Sequence, residues 1–449
     1  MPLSPAQNSP VYADPDQDLD IHLNDDDDDD APLYERGWLC NAEDREEYRP
    51  GGFHPVLIGD RFGEGGRFRV LHKLGRGGLA TVWLCADQER EQEQEQDSQK
   101  YKYVALKIVI AEESRGDSPE LRFANNQEGL DFGEAGGEGI AIPSEHFWHE
   151  GPNGRHLCLV LPVLGPRVSA LWNRSEDPAR VARDVALQVT RGLYFLHKNG
   201  ICHGDFRPSN ILFRLPGHGF DDLSEHALMT LLGPPRTEPL VPVSGQSPAP
   251  SGPDYIVESL NLEHLPARFI STRISIIDFG ESYDPRTPPP DLGITASFRP
   301  PELLFDNTIG VGCDLWALAC TVFEIRTGCH LFENFMDDDD EVIMQMVPLL
   351  GKLPEPWWGS WKERGRWFAD DECGTAWVDP KTGRPYILTD TLEELLAAPM
   401  GKDPKVAVFA VRGEENKSLG NLLRGLLRYE PGNRMSVGAV LEHAWFRDW

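Results

Sequence analysis

Apolar and polar residues alternate in several short runs in the first third of the chain. Arg67 to Leu74 (RFRVLHKL) and Thr81 to Ala86 (TVWLCA) keep a period near two and flank a glycine-rich turn, which predicts two paired strands. Tyr103 to Ile110 (YVALKIVI) predicts a third strand, and His156 to Val163 another. Between the second and third, Glu89 to Lys100 is Glu/Gln-rich and reads as a solvated insertion in a hairpin. The period then changes. Asp177-Pro178 has the form of an N-cap followed by proline at the first helical position. Behind it, Val181, Val185, Val189, Leu193 and Leu196 fall on one helical face. Helical patterning returns at Asp314 to Thr327 and continues to the C-terminus. Strands first and helices later predict an α+β protein, bilobal, with a small sheet lobe joined to a larger helical one.

Two segments break the pattern. Residues 1–47 are rich in Asp, Pro and Asn, with an unbroken Asp25–Asp30 run, and predict a disordered acidic tail. Residues 215–268 carry the Pro/Gly/Ser-rich stretch Pro239 to Pro253 and read as a spacer insertion, partly disordered. The division that follows is a tail (1–47), a sheet lobe (48–166), the helical lobe's first part (167–214), the spacer (215–268) and the helical lobe's second part (269–449).

Composition narrows the function classes. The formal net charge of -30 argues against direct nucleic-acid binding or an anionic membrane and favours basic partners. Eight cysteines without a C-x-x-C pair, several of them inside apolar runs, predict buried free thiols in a reducing compartment. The N-terminus has no signal-peptide layout, and no apolar run approaches the roughly 18 residues of a membrane span. The expectation is a soluble intracellular monomer.

Four motifs carry chemistry. Leu74-Gly75-Arg76-Gly77-Gly78-Leu79-Ala80-Thr81-Val82 places glycines between two strands, where backbone N–H groups can approach phosphate oxygens. Val104-Ala105-Leu106-Lys107 puts an ammonium in the middle of an apolar strand, where it needs anions. Glu120 is the first choice for its protein carboxylate and Glu128 the second. His203-Gly204-Asp205-Phe206-Arg207-Pro208-Ser209-Asn210 has H-x-D-x-x-x-x-N spacing, and Ile276-Ile277-Asp278-Phe279-Gly280 ends an apolar strand in D-F-G.

In this order the motifs resemble those of eukaryotic protein kinases. The resemblance implies that Mg-ATP is bound by Leu74, Gly75, Gly77, Val82, Ala105, Lys107, Pro162 and Leu164, with ATP and Mg2+ as cofactors. It implies that Asp205 accepts the substrate hydroxyl's proton, that Asn210 and Asp278 hold magnesium, and that Lys107, Glu120 and Arg207 complete the catalytic set. Arg207 stands where a lysine is usual and keeps the positive charge with a wider fork. Asp314 is expected to tether the catalytic-loop backbone, and Arg434 to pair with Glu302 of Phe298-Arg299-Pro300-Pro301-Glu302.

From about Tyr48 to Phe446 the chain is similar to the SR-protein kinase family in its fungal-type form. The similarity rests on the lead-in Tyr48 to Asp60 (YRPGGFHPVLIGD), Thr81 to Cys85, His156 to Val160, the divided catalytic domain and Leu349 to Pro354. It implies phosphorylation of serines in Arg/Ser-rich proteins such as splicing factors, and a cytoplasmic and nuclear location. Asp337–Glu341 (DDDDE) is the candidate docking patch for the basic substrate. Gly204 replaces the arginine of H-R-D, which implies activity without activation-loop phosphorylation. Two alternatives stay open: a pseudokinase that binds nucleotide or a partner, and a related kinase with Ser-Pro specificity.

Overall fold

The computed structural model describes residues 31–89, 102–121, 129–169, 177–334, 338–387, 389–399 and 409–447. All but Ala31 of these lie in one compact unit, Pro32–Trp449.

The alternating segments form a six-stranded antiparallel sheet of order β1-β2-β3-β4-β6-β5. Its strands are β1 (Arg61–Phe62), β2 (Phe68–Arg76), β3 (Ala80–Asp87), β4 (Tyr103–Val109), β5 (Glu145–Gly151) and β6 (Gly154–Pro162). Alternation gives the sheet two distinct faces. Trp83, Cys85, Val104, Leu106 and Ile108 pack on one side with Val56 and Phe62 of the lead-in. Val82, Leu84 and Ala86 pair with Lys107, Ala105 and Tyr103, so these six share the other side.

The helical lobe follows a short connection through Val163 to β7 (Leu164–Arg167). Helix α1 (Pro178–Lys198) begins where the proline signal places it, and the Asp177 carboxylate accepts the Arg180 N–H at 3.1 Å. Val185, Val189, Leu193 and Leu196 are buried against β8 (Ile211–Arg214) and β11 (Ile274–Ile276), which pair in register. Among the later helices, α3 (Pro301–Asp306), α4 (Val311–Thr327), α5 (Asp339–Leu350) and α6 (Gly413–Leu426) matter most to the site. Helix α4 is buried all round, so it runs through the centre of this lobe.

Two expectations are corrected. The first concerns the spacer, which is an ordered insertion rather than linker. Within it, α2 (Glu225–Leu232) is capped by Ser224, and β9 (Thr237–Pro239) pairs with β10 (Tyr255–Val257). Phe220, Leu228 and Leu265 pack on Leu71, Leu84, Ala86 and Tyr103 of the sheet lobe. The Lys102 ammonium donates to the Leu223 carbonyl at 2.7 Å, and the Tyr103 N–H to Asp221 at 3.2 Å. The proline-rich stretch forms the turn between β9 and β10 and packs Leu240 against Tyr34. Its few apolar residues suffice because each lands on a surface the lobe already provides.

The second concerns the tail, whose boundary moves from residue 48 to the low thirties. Tyr34 is buried with Tyr48, Phe53, Leu240 and Ile256, and its hydroxyl donates to the Tyr48 carbonyl at 3.1 Å. Glu238 of β9 accepts the Trp38 and Leu39 N–H groups at 3.0 Å and the Arg45 guanidinium at 2.7 Å. Residues 1–30, most of the Glu89–Lys100 stretch and Glu128 lie outside the described residues. Among the described residues, no helix is long and apolar enough to cross a membrane. All eight cysteines are free thiols, five of them buried.

Candidate active site

The cleft lies between the β2–β3 hairpin and the loops that precede β8 and follow β11. The hairpin closes on the glycines: the Gly77 N–H donates to the Ala80 carbonyl at 2.8 Å, and Gly75 lies across from Val82. A Cβ at Gly75 or Gly78 would meet nothing within 4 Å, so the loop leaves open space beneath a bare backbone. Val82, Ala105 and Lys107 share the sheet face that carries the insertion farther along.

Lys107 lies between two carboxylates. Its ammonium is 2.8 Å from Glu120 and 2.8 Å from Asp278. Burial alone would push this ammonium down, but Asp278 and Glu120 outweigh it and hold the lysine above its ordinary range. Lys107 in turn holds the Asp278 carboxyl below the usual carboxylate range. Burial raises Glu120 against the same attraction. Glu120 stands in a helical turn opening at residue 119, so of the two carboxylates named from the sequence it is the one shown on Lys107. Asp278 adopts a left-handed backbone with φ 64, which turns its side chain into the cleft, where it stays 45% exposed.

The catalytic loop is fixed from below. The Asp314 carboxylate, buried in the first turn of α4, accepts the N–H groups of His203 at 2.8 Å and Gly204 at 3.1 Å. It also bonds the His197 ring at 2.8 Å. Burial opposes the charge on Asp314, yet these donors hold its carboxyl below the usual range. Asp205 Oδ2 accepts from Arg207 Nε at 3.1 Å and from the Asn210 amide at 2.7 Å. Asp205 Oδ1 is buried and has no hydrogen-bond partner in the protein. An orphaned carboxylate oxygen at this spot suits an incoming hydroxyl. The Asn210 amide nitrogen also donates to the Asp205 carbonyl at 2.9 Å, leaving the carboxamide oxygen for a cation. Asn210 and Asp278 come together because the Asn210 carbonyl accepts the Ile277 N–H at 2.9 Å, across the 67 residues that separate the two motifs. The donor set fits magnesium, which prefers hard oxygens.

The remaining expected residues have the following places. Pro162 ends β6 and Leu164 starts β7, on either side of the lobe connection. Arg434 grips Glu302 of α3 with two 2.6 Å bonds, both side chains buried. The candidate docking patch does not survive as a row of free carboxylates. Asp338 caps α5, Asp339 pairs with Arg299 at 2.6 Å, and Asp340 accepts the Trp361 indole N–H. Asp337 lies outside the described residues. The charge run is therefore a helix start and a set of braces. Sequence reading missed Glu281 altogether. Its only signal is a charged residue directly after D-F-G.

Comparison with known proteins agrees with this geometry. Residues 267–446 match the protein kinase domain, which covers the site from Asp278 onward. The chain is 26% identical over 443 residues to the serine/threonine-protein kinase SRPK of Physarum polycephalum, covering 92% of this chain and 94% of that protein. Protein kinase dsk1 of Schizosaccharomyces pombe is 24% identical over 491 residues, 91% of this chain and 85% of the relative. The chain is a serine/threonine protein kinase. Its similarity is to the SR-protein kinases, and the human SRSF protein kinase 3 is 36% identical over 177 residues, 38% of this chain and 29% of that protein. The domain match begins at residue 267, so Lys107, Asp205 and Asn210 lie outside it. ATP is the co-substrate of this kinase, as of the domain it carries.

Proposed function

We propose that this kinase transfers the γ-phosphate of Mg-ATP to serines of Arg/Ser-rich proteins such as splicing factors. The observation that carries the reading is Lys107 held at 2.8 Å from both Glu120 and Asp278, with the Asp205 carboxylate held by Arg207 and Asn210. Lys107 would position the donor phosphates, and the carboxamide of Asn210 and the carboxylate of Asp278 would hold the metal. Bound magnesium supplies neutralisation of the phosphate oxygens. Asp205 orients the serine hydroxyl and takes its proton, while Arg207, fixed to Asp205, keeps a positive charge beside the transferred group. The strongly acidic net charge and the similarity to SRPK and SRSF protein kinase 3 support a basic substrate.

The activation segment supports activity without a phosphorylated loop. Tyr283 and Cys202 exchange backbone hydrogen bonds at 2.8 and 3.0 Å, and the Tyr283 hydroxyl donates to the Gly310 carbonyl at 3.0 Å. Arg299 holds the Ile294 carbonyl at 2.9 Å while paired to Asp339. The segment is braced by the protein's own side chains.

The test is transfer from labelled ATP to an Arg-Ser repeat peptide, a Ser-Pro peptide and a plain serine peptide, with Asp205→Asn as the blank. The Arg-Ser peptide is expected to be the best substrate by at least about tenfold, with no transfer by the variant. Equal use of the Ser-Pro peptide would overturn the specificity, and no transfer by folded protein would mark a pseudokinase.

A further inference from the structure

We propose that Glu281 selects an arginine next to the acceptor serine. The inference rests on the Arg/Ser reading above and assigns one residue of the same site to it.

The position comes from backbone packing. Gly204 directly precedes Asp205 and has φ 83, and a Cβ there would stand 2.1 Å from the Glu281 carbonyl oxygen and 3.1 Å from Glu281 Cβ. The catalytic loop and Glu281 are thus in backbone contact, and any side chain at 204 is excluded. That contact sets residue 281 directly against the loop that carries Asp205.

The charge around Glu281 is one-sided. The charged groups that act most strongly on it are Asp205, Asp278 and Glu113, all acids. Two of these have their own cation: Asp205 has Arg207, and Asp278 has Lys107 at 2.8 Å. Among the described residues, Glu281 receives one neutral donor, the Gly293 N–H at 3.3 Å. Partial burial, with those three acids, raises its carboxyl above the usual range, which the Gly293 hydrogen bond only opposes. A half-buried carboxylate in acidic company gains most from a cation brought in from outside. In the proposed reaction the acceptor serine comes to Asp205, so the cation nearest to hand is on the residue flanking that serine. A guanidinium meets a carboxylate with two parallel N–H bonds, whereas an ammonium meets it as a point charge. Glu281 should therefore favour arginine over lysine.

Glu281→Gln keeps the shape and the acceptor for Gly293 while removing the charge. The readout is the ratio of kcat/KM for a peptide with arginines flanking one serine to that for the same peptide with alanine flanks. A ratio measured on one preparation cancels any loss of folded protein. The ratio is expected to fall about tenfold in the variant, mostly through a higher KM for the arginine peptide with kcat retained. A lysine-flanked peptide should be affected less, and Glu281→Asp should restore part of the ratio. An unchanged ratio overturns the inference, as does an equal loss on all peptides, which would mark Glu281 as a brace for Gly293. A changed magnesium requirement with an unchanged ratio overturns it too. If the native kinase shows no preference for arginine flanks, the Arg/Ser reading itself has failed. That outcome is distinct from a native preference that survives Glu281→Gln.

Discussion

The Glu43 carboxylate and the Lys73 ammonium form an ion pair with both side chains buried, between a segment before the sheet and the strand that leads into the glycine loop. The Tyr48 hydroxyl also donates to Glu43. The Lys73 carbonyl accepts the Leu260 N–H at 3.0 Å, and the Ser259 N–H donates to Asn41 at 2.8 Å. Three separate stretches of chain therefore meet at one buried charge pair. Glu43→Ala leaves an ammonium buried without its partner and should lower stability by about 3–5 kcal/mol. Replacing both residues by methionine should cost far less. Denaturant unfolding of the two variants checks this, and equal losses would show that the pair is not what matters.

Asp205→Asn should reduce kcat by roughly 10²–10⁴-fold while leaving nucleotide binding within about twofold of native. The asparagine keeps the shape but cannot take a proton. Single-turnover transfer and calorimetric titration with ATP separate the two quantities. A comparable loss of nucleotide affinity would mean that Asp205 acts through the fold of the loop.

Phosphatase treatment should leave activity unchanged within about twofold. By contrast, Asp339→Asn removes the charge that holds Arg299 and should lower kcat/KM several-fold by loosening the Ile294 turn, an exposed-to-intermediate pair being worth about 1 kcal/mol. Peptide kinetics on treated and untreated protein settle the first claim. A loss of activity restored by rephosphorylation would sink it.

Stability should fall as the pH drops below neutrality, and His54 is the main reason. Its ring lies 4.6 Å from that of His149 and 5.0 Å from that of His156, between centroids. Burial, then the His149 and His156 rings, push the His54 imidazole down to about 3. His149 and His156 are also lowered, mainly by burial, although Asp60 and Glu150 pull His149 back and Glu150 and the Val109 carbonyl pull His156 back. The folded protein holds His54 neutral, while the unfolded chain takes up its proton near the ordinary value of about 6.5. The unfolded state thus binds more protons below that pH. Stability is complete above about 6.5 and declines toward about 3, with a slope of up to ~1.4 kcal/mol per pH unit for this one group. Urea midpoints at pH 7.5 and 5 measure it. His54→Phe should flatten the difference, and an unaltered slope would assign the effect to other groups.

The site was legible in the sequence wherever a spaced motif forced one chemistry. Lys107 in an apolar strand needed anions, and Asp278 and Glu120 are where it finds them. The tethering by Asp314 and the Arg434–Glu302 pair could likewise be expected, since both follow from the order of the motifs along the chain. What escaped was set by distant packing. Phe220, Leu228 and Tyr34 carry no period, because each fills a gap on another element's surface rather than a face of its own. The acids Asp338, Asp339 and Asp340 misled for the converse reason: composition shows charge but not the Arg299, Trp361 and helix N–H groups that occupy it. Glu281 was invisible because its meaning depends on the neighbouring acids of two other loops.

The position of the insertion has a pharmacological consequence. Leu74 of the glycine loop and Val163 of the lobe connection both pack against the cluster containing Phe220, Leu228 and Leu265. In this kinase, an ATP-competitive inhibitor that grows outward past those two residues meets a fitted apolar wall belonging to the 215–268 segment. Selectivity over kinases without that wall can be sought there.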